Sequence, residues 1–235
     1  MSMHKVAIIT GASQGIGAGL LAAYRKLGYA VVANSRTIPQ SDDPMIVTVP
    51  GDIADPAVGT GLVALALATF GRVDTLINNA GVFVAKPFTE YTAADYALVT
   101  GVNHRGFFEV TQRATTAMLA NGGGHVVNIT TSLVDHANSN VPSALAALTK
   151  GGLNAVTRSL AVEYATRGIR FNAVSPGIIR TPMHAPETHD FLAALHPMAR
   201  MGEIADIVDA VLYLESAPFI TGEILHVDGG QSAGH

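Results

Sequence analysis

The chain has 235 residues, the size of one large domain or at most two small ones. Hydrophobic residues make up 49% and charged residues 14%, with a net charge of −4 and no basic block, so there is no electrostatic footprint for nucleic acid or an anionic membrane. Cysteine is absent, which excludes disulfides, thiolate chemistry and cysteine-ligated zinc. No apolar run approaches the length that spans a bilayer. Val6–Thr10 is too short for a signal-peptide core, so a cytoplasmic location is expected. The apolar surplus points to helices buried on both faces of a sheet and to a subunit interface.

Taken in order, the chain begins with an apolar strand near 5–10, then Thr10-Gly11-Ala12-Ser13-Gln14-Gly15-Ile16-Gly17, then a helix over 15–27. Glycines allow a sharp turn and a close ligand approach, and the amino end of the following helix suits an anion such as a pyrophosphate. A second strand, near 29–35, ends in Ser35 and Arg36 rather than in an acidic residue. A short polar loop, Thr37–Pro44, leads to a strand near 45–49, Asp52-Ile53 and a helix over 55–69. The strand near 73–78 ends in Asn78-Asn79-Ala80-Gly81 and is followed by one long helix over 92–120 that carries Asn103. The strand near 124–130 runs into Thr130-Thr131-Ser132, and the helix over 143–166 carries Lys150 among small and apolar neighbours. After the strand near 169–174 come Pro176, Gly177, Ile179 and Thr181, an irregular segment to about 201, a helix over 203–214 and a last strand near 223–227. This alternation predicts a single doubly wound α/β domain, a Rossmann-type three-layer sandwich on a mostly parallel sheet of about seven strands.

The TGxxxGxG turn, Asn79-Ala80-Gly81, Asn103, Lys150, Pro176-Gly177, Ile220-Thr221-Gly222 and Val227-Asp228-Gly229-Gly230 stand in one order along the chain. Together they resemble the short-chain dehydrogenase/reductase family over essentially its whole length. The resemblance implies hydride transfer at a nicotinamide. It implies that Gly11, Ser13, Gln14, Gly15, Ile16 and Gly17 hold the pyrophosphate and that Asp52 and Ile53 hold the adenine. It further implies that Asn79, Ala80 and Gly81 approach the adenosine ribose, while Pro176, Gly177, Ile179 and Thr181 place the nicotinamide. An acidic side chain after the second strand would repel a 2′-phosphate; Ser35 and Arg36 favour NADP(H) over NAD(H). Residues 178–201 are expected to form a substrate lid whose histidines lie on its surface, with His184 nearest the substrate. No metal site is expected. The tail after Ile220 implies a homotetramer or homodimer.

The family's catalytic set is an Asn, a Ser, and a Tyr four residues before a Lys. Asn103 and Lys150 match; Thr131 aligns directly with the Ser, and Ser132 offers the same side chain one residue later. Lys150 is implied to bind the nicotinamide ribose as well. Ala146 stands where the Tyr is expected. The loss of a general acid typically costs ~10²–10⁴-fold in rate. Three readings follow. Another donor, His136 or a held water, protonates a carbonyl oxygen; or the substrate is an imine that needs no strong acid at the hydride step; or the protein binds the dinucleotide silently, as a sensor or structural partner. Nucleotide-sugar epimerase chemistry is a further option, though it too relies on the Tyr.

Overall fold

A computed structural model describes residues 4–234. Seven strands, β1 (Val6–Thr10), β2 (Ala30–Ser35), β3 (Ile46–Pro50), β4 (Thr75–Asn78), β5 (Gly124–Ile129), β6 (Ile169–Pro176) and β7 (Ile224–Val227), form one sheet in the order β3-β2-β1-β4-β5-β6-β7. Every neighbouring pair is parallel. Chain direction across the sheet reverses between β1 and β4, and that switch point is where a doubly wound fold opens a crevice at the carboxyl ends of its strands.

Successive residues of β1 serve opposite faces, because side chains alternate along a strand. Val6 and Ile8 pack with Leu62 and Ala66 of α2 (Pro56–Phe70) and with Val110 and Met118 of a later helix. Ala7 and Ile9 pack with Leu20 and Tyr24 of α1 (Gly15–Lys26) and with Ile207 and Val211 near the end of the chain. Covered on both sides, β1 is apolar at four successive positions, as central parallel strands are.

The single long helix expected over 92–120 is two. α3 (Ala93–Thr100) passes into a π-helical turn, Gly101–Gly106, before α4 (Phe107–Asn121). The glycines at both ends of that turn lie against the loop after β3; a Cβ on Gly106 would come within 2.9 Å of the Ile53 side chain. The wide turn is what brings Val102 and Asn103 inward. α5 (Ala144–Tyr164) follows β5, and Thr37–Pro44 contains no helix, as expected. The segment before α7 (Ile204–Ser216) is more ordered than its sequence suggests. It contains a 3-10 turn, Pro186–Thr188, and a short helix α6 (His189–Ala194). Among the described residues no helix is long and apolar enough to cross a membrane.

Candidate active site

The strand ends at the switch point are stitched together by Thr10 and Asn79. Thr10 Oγ1 accepts the backbone N–H groups of Asn79 (3.1 Å) and Ala80 (3.0 Å), and the Asn79 amide donates to the carbonyls of Thr10 and Gly11. This fixes the glycine turn. Gly11 and Gly15 take positive φ, +66° and +56°. Gly17 acts differently: it lies behind the turn, where a Cβ would overlap the Gly11 carbonyl oxygen. Gln14 gives α1 no side-chain cap and no acidic residue stands in the first turn, so the helix's free N–H groups face outward.

They face a cleft of about 550 Å³. At one end stand Ser35, Arg36, Asp52 and Ile53. The Ser35 and Ser13 hydroxyls bond each other at 2.9 Å, while the exposed Arg36 has no hydrogen bond or ion pair among the described residues. Asp52 does not cap α2. Its carboxylate accepts the Ala54 N–H, and the cap is Asp55, which accepts from Ala57.

At the other end stand Ala80, Gly81, Thr131, Ser132, Ala146, Lys150 and the run from Pro176 through Gly177 and Ile179 to Thr181. The Lys150 ammonium donates to the Ile129 carbonyl at 2.7 Å and has no carboxylate partner among the described residues. Burial pushes its pKa down to about 8. A Cβ on Gly81 would come within 3.1 Å of that ammonium, so the glycine leaves room where the lysine enters the cleft. Asn103 lies behind this wall: Oδ1 accepts from Val82 N, and Nδ2 donates to Val82 O and Thr149 Oγ1. Its amide therefore holds the strand-end loop against α5. Ala146, buried one turn before Lys150, presents only a methyl group, and among the described residues no tyrosine lines the cleft.

Two neighbouring hydroxyls differ in what they have left to offer. Thr131 Oγ1 accepts the Leu133 N–H, and its own hydrogen has no acceptor among the described residues. Ser132, buried, donates to Gln231 Oε1 at 2.8 Å. His136 and His184 also line the cleft, and burial, followed by the nearby His189, lowers the pKa of His184.

His196 corrects the expectation that the histidines of this segment lie on its surface. It is buried, takes the Ile178 N–H on Nε2 and donates from Nδ1 to the Leu192 carbonyl. A peptide N–H can only donate and a carbonyl only accept, so these partners fix a neutral Nδ1–H imidazole. Gln231, like Leu192 and Leu195, lines the cleft without having been singled out in the sequence. The only hint lies in the Gly229-Gly230 pair that turns the chain back, both residues with positive φ.

Residues 11–232 match the family model described as Enoyl-(Acyl carrier protein) reductase. With the all-parallel switch-point fold, that settles the membership. The chain belongs to the short-chain dehydrogenase/reductase family, a family of oxidoreductases. An uncharacterized oxidoreductase of Methylorubrum extorquens is 35% identical over 96% of this chain and 97% of its own. The structure of ElxO with NADP bound superposes with a TM-score of 0.91 at 29% identity, covering 99% of this chain and 100% of that one. The 3-ketoacyl-(acyl-carrier-protein) reductase from Brucella melitensis complexed with NADH gives 0.87 at 31% identity, over 98% and 100% of the two chains.

Proposed function

We propose that this family member binds NADP(H) along the cleft and transfers hydride between the nicotinamide and a small carbonyl or alcohol substrate. The residues present fit a dinucleotide. The uncapped amino end of α1, with the glycines before it, offers N–H groups to a pyrophosphate. Arg36, exposed and unpaired, offers a forked cation to a 2′-phosphate, with Ser13 and Ser35 beside it. Asp52 and Ile53 suit the adenine, and Asn79, Ala80 and Gly81 let the backbone approach the adenosine ribose. Pro176, Gly177, Ile179 and Thr181 form the wall for the nicotinamide. That ring gives or takes the hydride when bound. The relatives with NADP and with NADH support the cofactor class.

The observation that carries this reading is Lys150. A buried lysine with one carbonyl partner and no carboxylate is unfavourable for folding alone, and its remaining N–H groups suit ribose hydroxyls. As hydride reaches a carbonyl carbon, negative charge grows on the oxygen. The free Thr131 hydroxyl can donate to it, Ser132 lies beside it, and the Lys150 charge stabilises it. Asn103 keeps Val82 and Thr149 in place around them. We place residues 178–201 as the substrate lid and read the chain as one domain that works as a homo-oligomer. Ala146 favours a second reading, a silent dinucleotide-binding protein, since its methyl can neither give nor take a proton.

Consumption of NADPH across ketones and cyclic imines, and of NADP in the presence of alcohols, tests both readings with Ala146→Tyr run beside the parent. Turnover by the parent on any class is the expected result. Activity confined to Ala146→Tyr would establish the silent reading instead.

A further inference from the structure

The Ser132–Gln231 contact has a fixed polarity. Gln231 Nε2 lies 3.1 Å from the Leu195 carbonyl oxygen, which can only accept, so the nitrogen of the amide must be the atom on that side. Its oxygen is then the atom 2.8 Å from Ser132 Oγ, and that oxygen can only accept. The Ser132 proton is therefore committed to Gln231, and what Ser132 presents to the cleft is lone pairs. Next to it, Thr131 accepts from Leu133 and keeps its own proton. Two adjacent hydroxyls on the cleft wall thus have opposite polarity, one accepting and one donating.

Gln231 reaches this position because Gly177 has no side chain; a Cβ there would lie 3.0 Å from Gln231 Oε1 and 2.8 Å from His196 Nε2. The carbonyl it holds, that of Leu195, follows α6 directly, so the amide joins the reaction end of the cleft to the segment that covers it.

Building on the oxidoreductase reading, we propose that Gln231 is a positioning residue that sets Ser132 as a hydrogen-bond acceptor, so that the site selects a substrate whose reacting heteroatom carries a hydrogen. A secondary alcohol satisfies both hydroxyls at once, giving its proton to Ser132 and taking one from Thr131. A ketone satisfies Thr131 alone. To bind Ser132 as well, it must turn that proton away from Gln231 and leave a buried acceptor unpaired, a change on the order of ten- to a hundredfold in affinity. A neutral amine offers the same donor chemistry. A cation is disfavoured, because Asp52 is the one acidic residue lining the cleft among those described and it stands at the far end.

Neutron diffraction from crystals exchanged into D₂O reads the polarity without turnover, and so independently of the oxidoreductase reading. Deuterium on Ser132 Oγ directed at Gln231 Oε1 is the expected result; deuterium directed into the cleft overturns the proposal. Calorimetry then compares cyclohexanol added to the NADPH complex with cyclohexanone added to the NADP complex, with aniline, a weak base that is neutral at pH 7, as the amine arm. The parent is expected to hold the alcohol roughly tenfold more tightly than the ketone. Gln231→Met frees the Ser132 proton and is expected to erase most of that ratio, while Gln231→Glu keeps an acceptor and keeps the ratio. An alcohol held no more tightly than the ketone by the parent, or a ratio that Gln231→Met leaves unchanged, overturns the proposal. Aniline held more tightly than cyclohexanol makes an amine the source of the donor and leaves the polarity assignment standing.

Discussion

The two ends of the same parallel sheet each bury a charge, and they treat it in opposite ways. At the amino end, Glu215 on the last turn of α7 accepts from the Tyr24 and Tyr29 hydroxyls (3.0 and 2.9 Å), from Thr75 Oγ1 and from His125 Nδ1 at 2.8 Å. His125 is held in turn by Asn172, and Arg170 binds the carbonyls of Leu214 and Glu215 where α7 ends. Burial works to raise the Glu215 carboxyl, but the bonds from His125, Tyr29 and Tyr24 outweigh it and hold the pKa at about 2. Burial lowers the pKa of His125 against the pull of Glu215. At the carboxyl end, Lys150 has one carbonyl partner, and burial moves it toward its neutral form. A buried charge with every lone pair used anchors elements; one with donors to spare is available to a ligand. The contrast separates structural from functional polarity without reference to the composition of either site.

The largest expected effect tests the anchored end. Glu215→Ala leaves two phenols, a threonine and an imidazole without their acceptor, and should lower the unfolding free energy by ~3 kcal/mol or more in urea titration. A loss below ~1 kcal/mol would mean that this network does not anchor α7. The pH dependence has a definite sign. With its folded pKa below the ordinary 4.5, Glu215 contributes stability that is present above about pH 4.5 and lost as pH falls toward about 2. Denaturation curves of the variant should lack that part of the acid slope.

The cleft end should respond in the other direction. Lys150→Met removes a poorly paired charge and should raise the unfolding free energy by ~1–3 kcal/mol at pH 7, while NADPH-dependent turnover falls by ~10²-fold or more. The folded pKa of about 8 lies below 10.5, so the unfolded chain binds more protons between them. Parent stability should therefore gain on that of Lys150→Met as pH rises from about 8 toward 10. A variant that is both destabilised and inactive would place Lys150 with Glu215 as an anchor.

The smallest effect concerns the exposed end of the cleft. Arg36→Ala should weaken NADPH binding roughly tenfold, about 1.4 kcal/mol, and NADH binding less than about twofold, as read by isothermal titration calorimetry. Equal losses would remove the 2′-phosphate assignment.

Much of this architecture was legible in the sequence. The order of strands and helices followed from hydrophobic period, and the glycine turn from its setting between an apolar strand and a helix. Such features are local, so a window of residues contains their cause. The 92–120 segment reads as one helix because nothing local marks a π turn; the turn answers to the Ile53 side chain pressing on Gly106.

What the sequence by itself determined is the family, the fold, and most of the residues that line the cleft. What only the tertiary structure decided is how those residues are partnered. The Asn103 amide is committed to Val82 and Thr149, His196 is a buried clamp, and Ser132 and Thr131 point opposite hydrogen-bonding faces at the same space. The physical reason is that hydrogen-bond polarity belongs to pairs of groups. Ser132 meets Gln231, 99 positions away along the chain, and no local pattern records that meeting.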